Sequence, residues 1–323
     1  RIKLWMSIDE FQTAYQEGKS CNTQIFTLRV ITELAKKRKI PVYVLFLDLE
    51  KAFDRVKRVT LLNVLMKSGI GTKMLWALRN LYKKTNVFLE DIGTFTSTCG
   101  IRQGAVSSVY IFIILINGLF KHLRSLYGVN VILGKIHNLI HADDTIILAT
   151  SYDMLKKKIC STLNFFEEIG QKFNLDKTKY MCIDNQKKHG KQDIDIFGCN
   201  IKYSNKERYL GHFITDDNSH TNSIYLDIED RAANVLVKLR NFVNNNKLIS
   251  LETRFNVLQA CFCSTILSNC ETWGKCIPKN VKTLYHQGLK LALDVRNSTP
   301  TALLFLESRQ PSIVAMIRKR QLN

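Results

Sequence analysis

The feature that most constrains the fold is an apolar run at residues 42–49, which Asp48 alone interrupts. Pro41 precedes the run, and its β-branched and aromatic residues favour a strand over a helix. Because the run carries no alternating polar face, the predicted strand is buried on both sides, in the centre of a sheet. Asp48 then lies at the end of a central strand.

A second acidic group lies within residues 136–148, where two apolar stretches flank Ala142, Asp143 and Asp144. This pattern predicts a hairpin with carboxylates at its tip. A carboxylate pair held between apolar strands needs a cation nearby, because isolated buried charge is costly. Residues 216–217 are also Asp-Asp but lack such strands, so we interpret them as a solvated pair.

Hydrophobic periodicity divides the chain into two parts. The predicted helices are residues 22–39, 61–67, 73–83, 106–126, 151–169, 227–243 and 251–267. The other predicted strands are a hairpin at 86–99 and runs at 179–183 and 194–201. We therefore expect an α/β (α+β) body over residues 1–215, followed by a mainly helical region over residues 216–323.

The net charge indicates the kind of partner. The chain has 47 Lys and Arg residues against 28 Asp and Glu, a net charge of +19. Such an excess favours a phosphate-rich partner, although a basic protein with solvated charge would also show it. Basic clusters occur at residues 36–39, 83–84, 156–158, 187–188 and 318–320. Their spread predicts a long basic groove rather than one basic tail.

Other sequence features indicate where the protein is located and whether it associates with a membrane. The nine cysteines show no zinc-site spacing, so we expect reduced thiols in the nucleus or cytoplasm. No secretory signal opens the sequence. The apolar run at residues 109–120 is shorter than the roughly 20 residues that span a bilayer, which predicts a buried helix and no membrane partner. Because the first residue is Arg1, we interpret the sequence as a fragment of a longer polypeptide.

Carboxylates converging from two segments are what nucleotidyl transfer requires. Two divalent cations about 4 Å apart neutralise a triphosphate and make the attacking hydroxyl more acidic. Mg²⁺ prefers oxygen ligands and takes few of them from the protein. We therefore predict that Asp48, Asp143 and Asp144 are the metal ligands and catalytic residues, with two Mg²⁺ (or Mn²⁺) ions as cofactors.

Four further residues are candidates for substrate binding. Phe53 is placed to pack under the sugar and exclude a 2′-hydroxyl, unless it is an ordinary core residue. Gly104, like Gly100, permits close backbone approach to a nucleotide or template, and Gln103 offers it a hydrogen bond; a tight strand-to-helix turn explains them equally. Lys177 is a candidate to steady or protonate departing pyrophosphate, with a solvated lysine as the alternative.

Together these segments resemble the reverse transcriptase of a non-LTR (LINE-type) retrotransposon. The matching motifs are D-x-x-K-A-F-D at 48–54, G-x-R-Q-G at 100–104, the end of Y-A-D-D at 142–144, N-x-x-K-T at 174–178 and Y-L-G at 209–211, with a looser match to Q-G-F-R-x-G-x-S at 16–20. The stretches 271–273 and 298–300 also resemble segments that follow the polymerase in these elements. The resemblance runs from about residue 11 to the C-terminus.

The resemblance implies a right-hand polymerase, with fingers and palm in residues 1–215 and a thumb-like region in residues 216–323. It implies RNA-directed DNA synthesis with metals on Asp48 and Asp143, support from Asp144, and Phe53 as the gate that favours deoxynucleotides. The implied partners are an RNA template, a DNA primer or target and dNTPs. His141 stands where the family has Tyr.

Three alternatives stay open. A viral RNA-dependent RNA polymerase would need room for a 2′-hydroxyl, where this chain offers Phe53. A group II intron maturase-like protein would share most of these features. A non-catalytic nucleic-acid-binding relic would keep the fold and charge without turnover. The fingers strands and endonuclease of such elements would precede residue 11, so we expect the isolated chain to be an incomplete enzyme.

Overall fold

The computed structural model describes residues 8–83, 85–90, 93–124, 129–131, 134–183, 191–274 and 277–322. They form two compact units. The first takes in the described residues up to Leu210 together with Asp216–Asn218, and the second comprises Gly211–Thr215 and the residues from Ser219 onward. The terms fingers, palm and thumb for parts of these units stay predictions.

A six-stranded sheet is the centre of the first unit. Its order is β6 (Asn138–His141), β7 (Asp144–Ala149), β1 (Val42–Leu47), β8 (Lys179–Ile183), β10 (Cys199–Tyr203) and β9 (Ile194–Ile196). Neighbouring strands are antiparallel except β8 and β10, which are parallel. All six residues of β1 are buried, which confirms the central strand expected from its continuous apolar sequence.

Helices and small hairpins complete the first unit. The helices are α1 (Cys21–Arg38), α2 (Arg58–Lys67), α3 (Thr72–Lys83), α4 (Val106–Arg124) and α5 (Tyr152–Glu168). The remaining strands are β2 (Thr85–Leu89), β3 (Gly93–Ser97), β4 (Val129–Val131), β5 (Gly134–Ile136) and β11 (Lys206–Tyr209). Each predicted helix in this part of the chain is confirmed to within a few residues. The pair β4–β5 was not predicted, because its strands are only three residues long.

The second unit is mainly helical. Its elements are β12 (His212–Thr215), α6 (His220–Asn245), α7 (Leu251–Val257), α8 (Ser264–Ile266), α9 (Lys279–Leu293), α10 (Thr301–Ser308) and α11 (Ile313–Leu322). Its core contains the fully buried side chains of Trp273, Tyr285 and Phe262. Among the described residues beyond Thr215 there is no strand, so the α/β (α+β) class with a helical C-terminal region is confirmed.

Two predicted elements were wrong in detail. The single strand expected at residues 194–201 is two antiparallel strands, β9 and β10, because the chain reverses at Phe197 and Gly198, both with positive φ. The single helix expected at residues 251–267 is divided by a π-helical segment, Leu258–Cys263. A short π-helical segment leaves the spacing of apolar residues nearly unchanged. The sequence pattern therefore did not reveal this segment.

The spread of basic residues also needs a correction. Lys158, part of the cluster at residues 156–158, is fully buried, and its Nζ donates to the carbonyl oxygen of Leu148 at 2.5 Å. This lysine therefore adds nothing to a surface groove. Some predicted features lie outside the described residues. They are Lys84 and the basic cluster at residues 187–188, the turn at residues 91–92, and residues 125–126 of the predicted long helix.

Helix α4 is long and apolar enough to cross a membrane by length and composition alone. However, 56% of its most apolar window is buried inside the protein, where α4 packs against α2 and α5. Ten of its residues, among them Phe112 and Leu119, belong to the buried set. This confirms the prediction of a buried helix here.

Candidate active site

Strand pairing brings the predicted acidic residues together. Leu47, the last residue of β1, pairs with Thr145 of β7. The next position along each strand is Asp48 on one side and Asp144 on the other. Both residues line one cavity of about 310 Å³. Asp48 and Asp144, from segments far apart in the sequence, therefore lie at neighbouring strand ends, which is the arrangement expected for Asp48 and the hairpin tip.

Asp143 occupies the turn between β6 and β7, directly before Asp144. His141 pairs with Asp144 across this turn, so Ala142 and Asp143 are its two central residues. Ala142 has φ 59°, in the left-handed region that non-glycine residues rarely adopt. The side chain of Asp143 is exposed at this sharp turn.

The carboxylates influence one another electrostatically. The pKa of Asp144 is raised to about 6, first because the surrounding protein removes water and then because Asp143 and Asp48 are negative. Removal of water and nearby like charge both disfavour an ionised carboxylate. A divalent cation would reverse this effect, and carboxylate oxygens are the ligands that Mg²⁺ prefers.

The number of protein ligands is small. Among the residues that the structure describes, no group of three or more His, Cys, Asp and Glu side chains is already arranged as a metal cluster. Mg²⁺ usually binds through one or two carboxylates, with water and substrate phosphates completing its octahedron. The pair Asp48 and Asp144, with Asp143 adjacent, meets that requirement without a protein-only cage.

Lys177 lies at the same cavity, on the segment that supports Asp48. Its Nζ is 4.0 Å from Asp48 Oδ2, and its side chain is 69% exposed. Thr178, which is fully buried, accepts the Asp48 backbone N–H on Oγ1 at 3.3 Å, and the N–H of Asn174 donates to the Asp48 carbonyl at 2.9 Å. Residues 174–178 therefore hold Asp48 in place and present Lys177 beside it.

Phe53, Gln103 and Gly104 do not line this cavity. The G-x-R-Q-G segment packs instead against the loop that follows Asp48. The N–H of Ile101 donates to the Phe53 carbonyl at 3.0 Å, and Gln103 Nε2 donates to Asp54 Oδ1 at 2.8 Å. The ring of Phe53 is half-buried.

The two glycines of that segment have different environments. A Cβ on Gly100 would lie 2.9 Å from the Asp54 carbonyl oxygen, whereas a Cβ on Gly104 would meet nothing within 4 Å. The close approach expected at Gly100 is thus made to the protein's own backbone. Gly104 alone has open space in front of it.

Several residues near the site were not assigned from the sequence. Tyr209, of the Y-L-G motif, lines the cavity and is buried; its pKa is raised well above the usual value by burial, with a further contribution from Asp144. The cavity is also lined by Asp176, Lys179, Glu207 and Arg208. The motif match was the available signal for Tyr209, and no pattern marked the others.

His141 has partners on both sides. Its Nδ1 lies 2.9 Å from Thr13 Oγ1, and its Nε2 lies 3.3 Å from Cys21 Sγ. Burial lowers its pKa, while Asp143 opposes that shift. The hairpin is therefore tied to residues near the start of the described chain.

Part of the sequence is similar to known proteins. Residues 1–214 match the family model "Reverse transcriptase (RNA-dependent DNA polymerase)". A Pol polyprotein from the type-2 retrotransposable element R2DM of Drosophila melanogaster is 23% identical over 192 residues, which are 58% of this chain and 18% of that protein. A Pol polyprotein from the type-1 retrotransposable element R2 of Popillia japonica is 28% identical over 186 residues, 53% of this chain and 26% of that protein.

A solved structure shows the same fold. A telomerase from Candida albicans, solved with a fragment of telomeric RNA, matches with a TM-score of 0.53 and 11% identity, over 96% of this chain and 55% of that one. The chain spans about a fifth to a quarter of the curated relatives' length. The predicted resemblance to non-LTR retrotransposon reverse transcriptases is confirmed. The motifs, the two carboxylates at neighbouring strand ends and these matches agree that the chain belongs to the reverse transcriptase (RNA-dependent DNA polymerase) family.

Proposed function

We propose that this chain carries the nucleotidyl-transfer site of an RNA-directed DNA polymerase. The observation that carries the proposal is the placement of Asp48 and Asp144 at one cavity, with Asp143 in the adjoining turn and Lys177 beside Asp48. In the reaction, a primer 3′-hydroxyl attacks the α-phosphorus of a dNTP. The α–β phosphoanhydride bond breaks, pyrophosphate leaves and the hydroxyl proton is released.

We propose that Asp48, Asp143 and Asp144 hold two Mg²⁺ or Mn²⁺ ions. When bound, the cations neutralise triphosphate charge and acidify the 3′-hydroxyl. Burial, and then the negative charges of Asp143 and Asp48, raise the pKa of Asp144; a bound cation would oppose both effects, which supports this role. We propose that Lys177 steadies or protonates the departing pyrophosphate; its exposed side chain, which lines the cavity with Nζ 4.0 Å from Asp48 Oδ2, supports this role.

We propose that Phe53, Gln103 and Gly104 act on the nucleotide and template side of the site. Phe53 is positioned by the backbone contact between its carbonyl and Ile101. Gly104 offers an open approach, and Gln103 retains one amide oxygen for a ligand while its nitrogen bonds to Asp54. The net charge of +19 fits an RNA template and a DNA primer as partners. The nuclear or cytoplasmic location stays a prediction.

Primer extension tests this function. A purified polypeptide that also includes the fingers strands expected before residue 11 is incubated with a labelled DNA primer on an RNA template, dNTPs and Mg²⁺ or Mn²⁺, and we expect extended primer. Asp143→Asn should abolish extension while RNA binding persists. Asp195→Asn, which changes an exposed carboxylate on β9, should extend like the wild type.

The outcomes separate the alternatives. Equal extension by Asp143→Asn removes Asp143 from the mechanism. RNA binding with no extension by the wild type, in either metal, favours the non-catalytic relic. Efficient use of NTPs by the wild type favours an RNA polymerase.

A further inference from the structure

The turn that carries Asp143 is held by residues outside the sheet. We propose that Gln12, Thr13, Cys21 and Gln24, named here the turn clamp, are positioning residues that fix Asp143 and Asp144 in the geometry that binds a divalent cation. The proposal rests on the proposed function. It adds a role for four residues that do not line the cavity.

The clamp begins with backbone pairing at the sheet edge. Strand β6 is the outermost strand on its side of the sheet. The N–H of Thr13 donates to the Ile140 carbonyl at 3.1 Å, and the N–H of Ile140 donates to the Phe11 carbonyl at 3.1 Å. The chain around Gln12 therefore pairs with β6 through a single parallel bridge at Ile140. An edge covered in this way frays less readily than a free one.

The side chain of Gln12 contacts the turn between β6 and β7 directly. Its side chain is fully buried, and its Oε1 accepts the N–H of Ala14 at 3.1 Å and the N–H of Ala142 at 3.4 Å. Ala142 is the residue in the unfavourable left-handed conformation. Such a conformation persists only where surrounding contacts over-determine it, and the Gln12 amide supplies one of them.

Burial of the Gln12 side-chain amide is energetically unfavourable. Its Nε2 is buried and has no hydrogen-bond partner within the described part of the chain. Burial of an unpaired amide nitrogen is unfavourable by about 1–3 kcal/mol. A glutamine here is therefore poorly explained by stability alone. The acceptor that it presents to Ala142 gives a reason for its presence.

Gln24 and the His141 contacts fix the strand leading into the turn. Gln24, also buried, donates from Nε2 to the Ile140 carbonyl at 2.9 Å. The ring of His141 lies between Thr13 Oγ1 and Cys21 Sγ. A neutral imidazole has one donor and one acceptor nitrogen, and a hydroxyl and a thiol can each take either role. Both ring nitrogens are thereby satisfied and the ring cannot rotate freely.

All four clamp residues lie before or within the first turns of α1, far in sequence from the hairpin. Cys21 is the first residue of α1, and Gln24 follows one turn later. Movement of this helix end would release the imidazole and the Ile140 carbonyl together. The position of the two carboxylates is therefore coupled to the packing of α1.

Mn²⁺ binding to the full chain tests the clamp, with the electron paramagnetic resonance signal of free Mn²⁺ as the readout. Gln12→Met has a side chain of similar length without the acceptor, and we expect it to bind Mn²⁺ at least about tenfold more weakly. Thr162→Val removes a buried hydrogen bond within α5, from Thr162 Oγ1 to the Lys158 carbonyl, and should bind like the wild type. Circular dichroism and thermal unfolding verify that each variant is folded.

A second pair keeps the test decisive if Gln12→Met fails to fold. Thr13→Val is isosteric and loses the hydroxyl beside His141, so it should weaken Mn²⁺ binding. Thr13→Ser keeps the hydroxyl and should restore wild-type affinity, which a general packing defect would not do.

The results distinguish failure of the clamp from failure of the proposed function. If the wild type binds Mn²⁺ and Asp143→Asn weakens binding, the metal site stands. In that case, wild-type affinity in both Gln12→Met and Thr13→Val overturns the clamp. If wild type and Asp143→Asn bind Mn²⁺ equally, the predicted metal site itself is wrong, and the clamp proposal fails with it.

Discussion

The ring of Phe53 stacks on the ring of Phe112, with centroids 4.8 Å apart and planes inclined by 18°. Phe112 belongs to α4 and is 1% exposed, so its ring is fixed in the core of the first unit. Phe53 is half-buried and packs at the rim of that core. One face of the Phe53 ring is therefore held by the protein before any nucleotide arrives. A residue held in this way can serve both as core packing and as a steric gate.

We predict that Phe53→Val raises ribonucleotide incorporation relative to deoxynucleotide incorporation by about tenfold or more, because a smaller side chain leaves room for a 2′-hydroxyl. Primer extension with matched NTP and dNTP concentrations measures the ratio. Phe112→Leu weakens the stack but keeps the ring of Phe53, so its ratio should shift less. Unchanged sugar selectivity in Phe53→Val would return Phe53 to an ordinary core role.

We predict that Gly100→Ala destabilises the first unit more than Gly104→Ala does, by at least about 1 kcal/mol. Both glycines have positive φ, 80° and 83°, so both variants carry the same conformational cost. Only at Gly100 would the new methyl group meet the Asp54 carbonyl oxygen, at 2.9 Å. Urea denaturation measures both free energies of unfolding. Equal losses would show that the backbone at Gly100 can move away without cost.

We predict that Thr178→Val lowers the free energy of unfolding by about 1–3 kcal/mol, because the Asp48 N–H loses its acceptor on the fully buried Thr178 side chain. The variant should also weaken Mn²⁺ binding, since Asp48 loses a support on its backbone. Thr178→Ser keeps the hydroxyl and provides the control. Full Mn²⁺ affinity in Thr178→Val would mean that the neighbouring Asn174 contact is sufficient to hold Asp48.

We predict that stability rises with pH between about 8 and 10 through Lys158. Burial lowers the pKa of Lys158 from 10.5 to about 8. Below pH 8 the amine is protonated in both states and its burial cost is fully present. As pH rises toward 10.5, the folded state releases the proton first, so the unfolded state binds more protons and stability increases, by at most about 3 kcal/mol.

Thermal unfolding across this pH range checks the prediction. Lys158→Met should flatten the rise and be more stable than the wild type near pH 7. Lys157→Met, at the exposed neighbouring position, should keep the rise. A Lys158→Met protein with the wild-type slope would show that other groups cause it.

Local patterns predicted most elements of the first unit. The apolar run of β1 and the two apolar stretches around Asp143 are short-range signals, and they gave the central strand and the carboxylate-tipped hairpin. The order of the strands was not predictable in this way. β1 lies between β7 and β8 because of pairings made across long stretches of chain, which periodicity does not encode.

The parts of the site that sequence reasoning missed depend on tertiary contacts. Gly100 approaches the Asp54 backbone rather than a ligand, and Gln12 bonds to the turn at Ala142. Lys158 looked like one of three surface lysines, yet it points inward to a strand carbonyl. In each case the residue type is compatible with several environments, and only the neighbouring segments decide among them.

The place of β1 in the sheet also bears on how the protein is made. Val42 pairs with Ile183, and Tyr43 pairs with Ala149, so neither edge of β1 can be closed until much later residues have left the ribosome. Such long-range pairing slows folding and leaves an apolar strand exposed in the nascent chain. Asp48 consequently acquires its acidic neighbour only after residue 144 has emerged. Chains terminated before that point would leave the apolar strand β1 unpaired and exposed, as a binding site for chaperones.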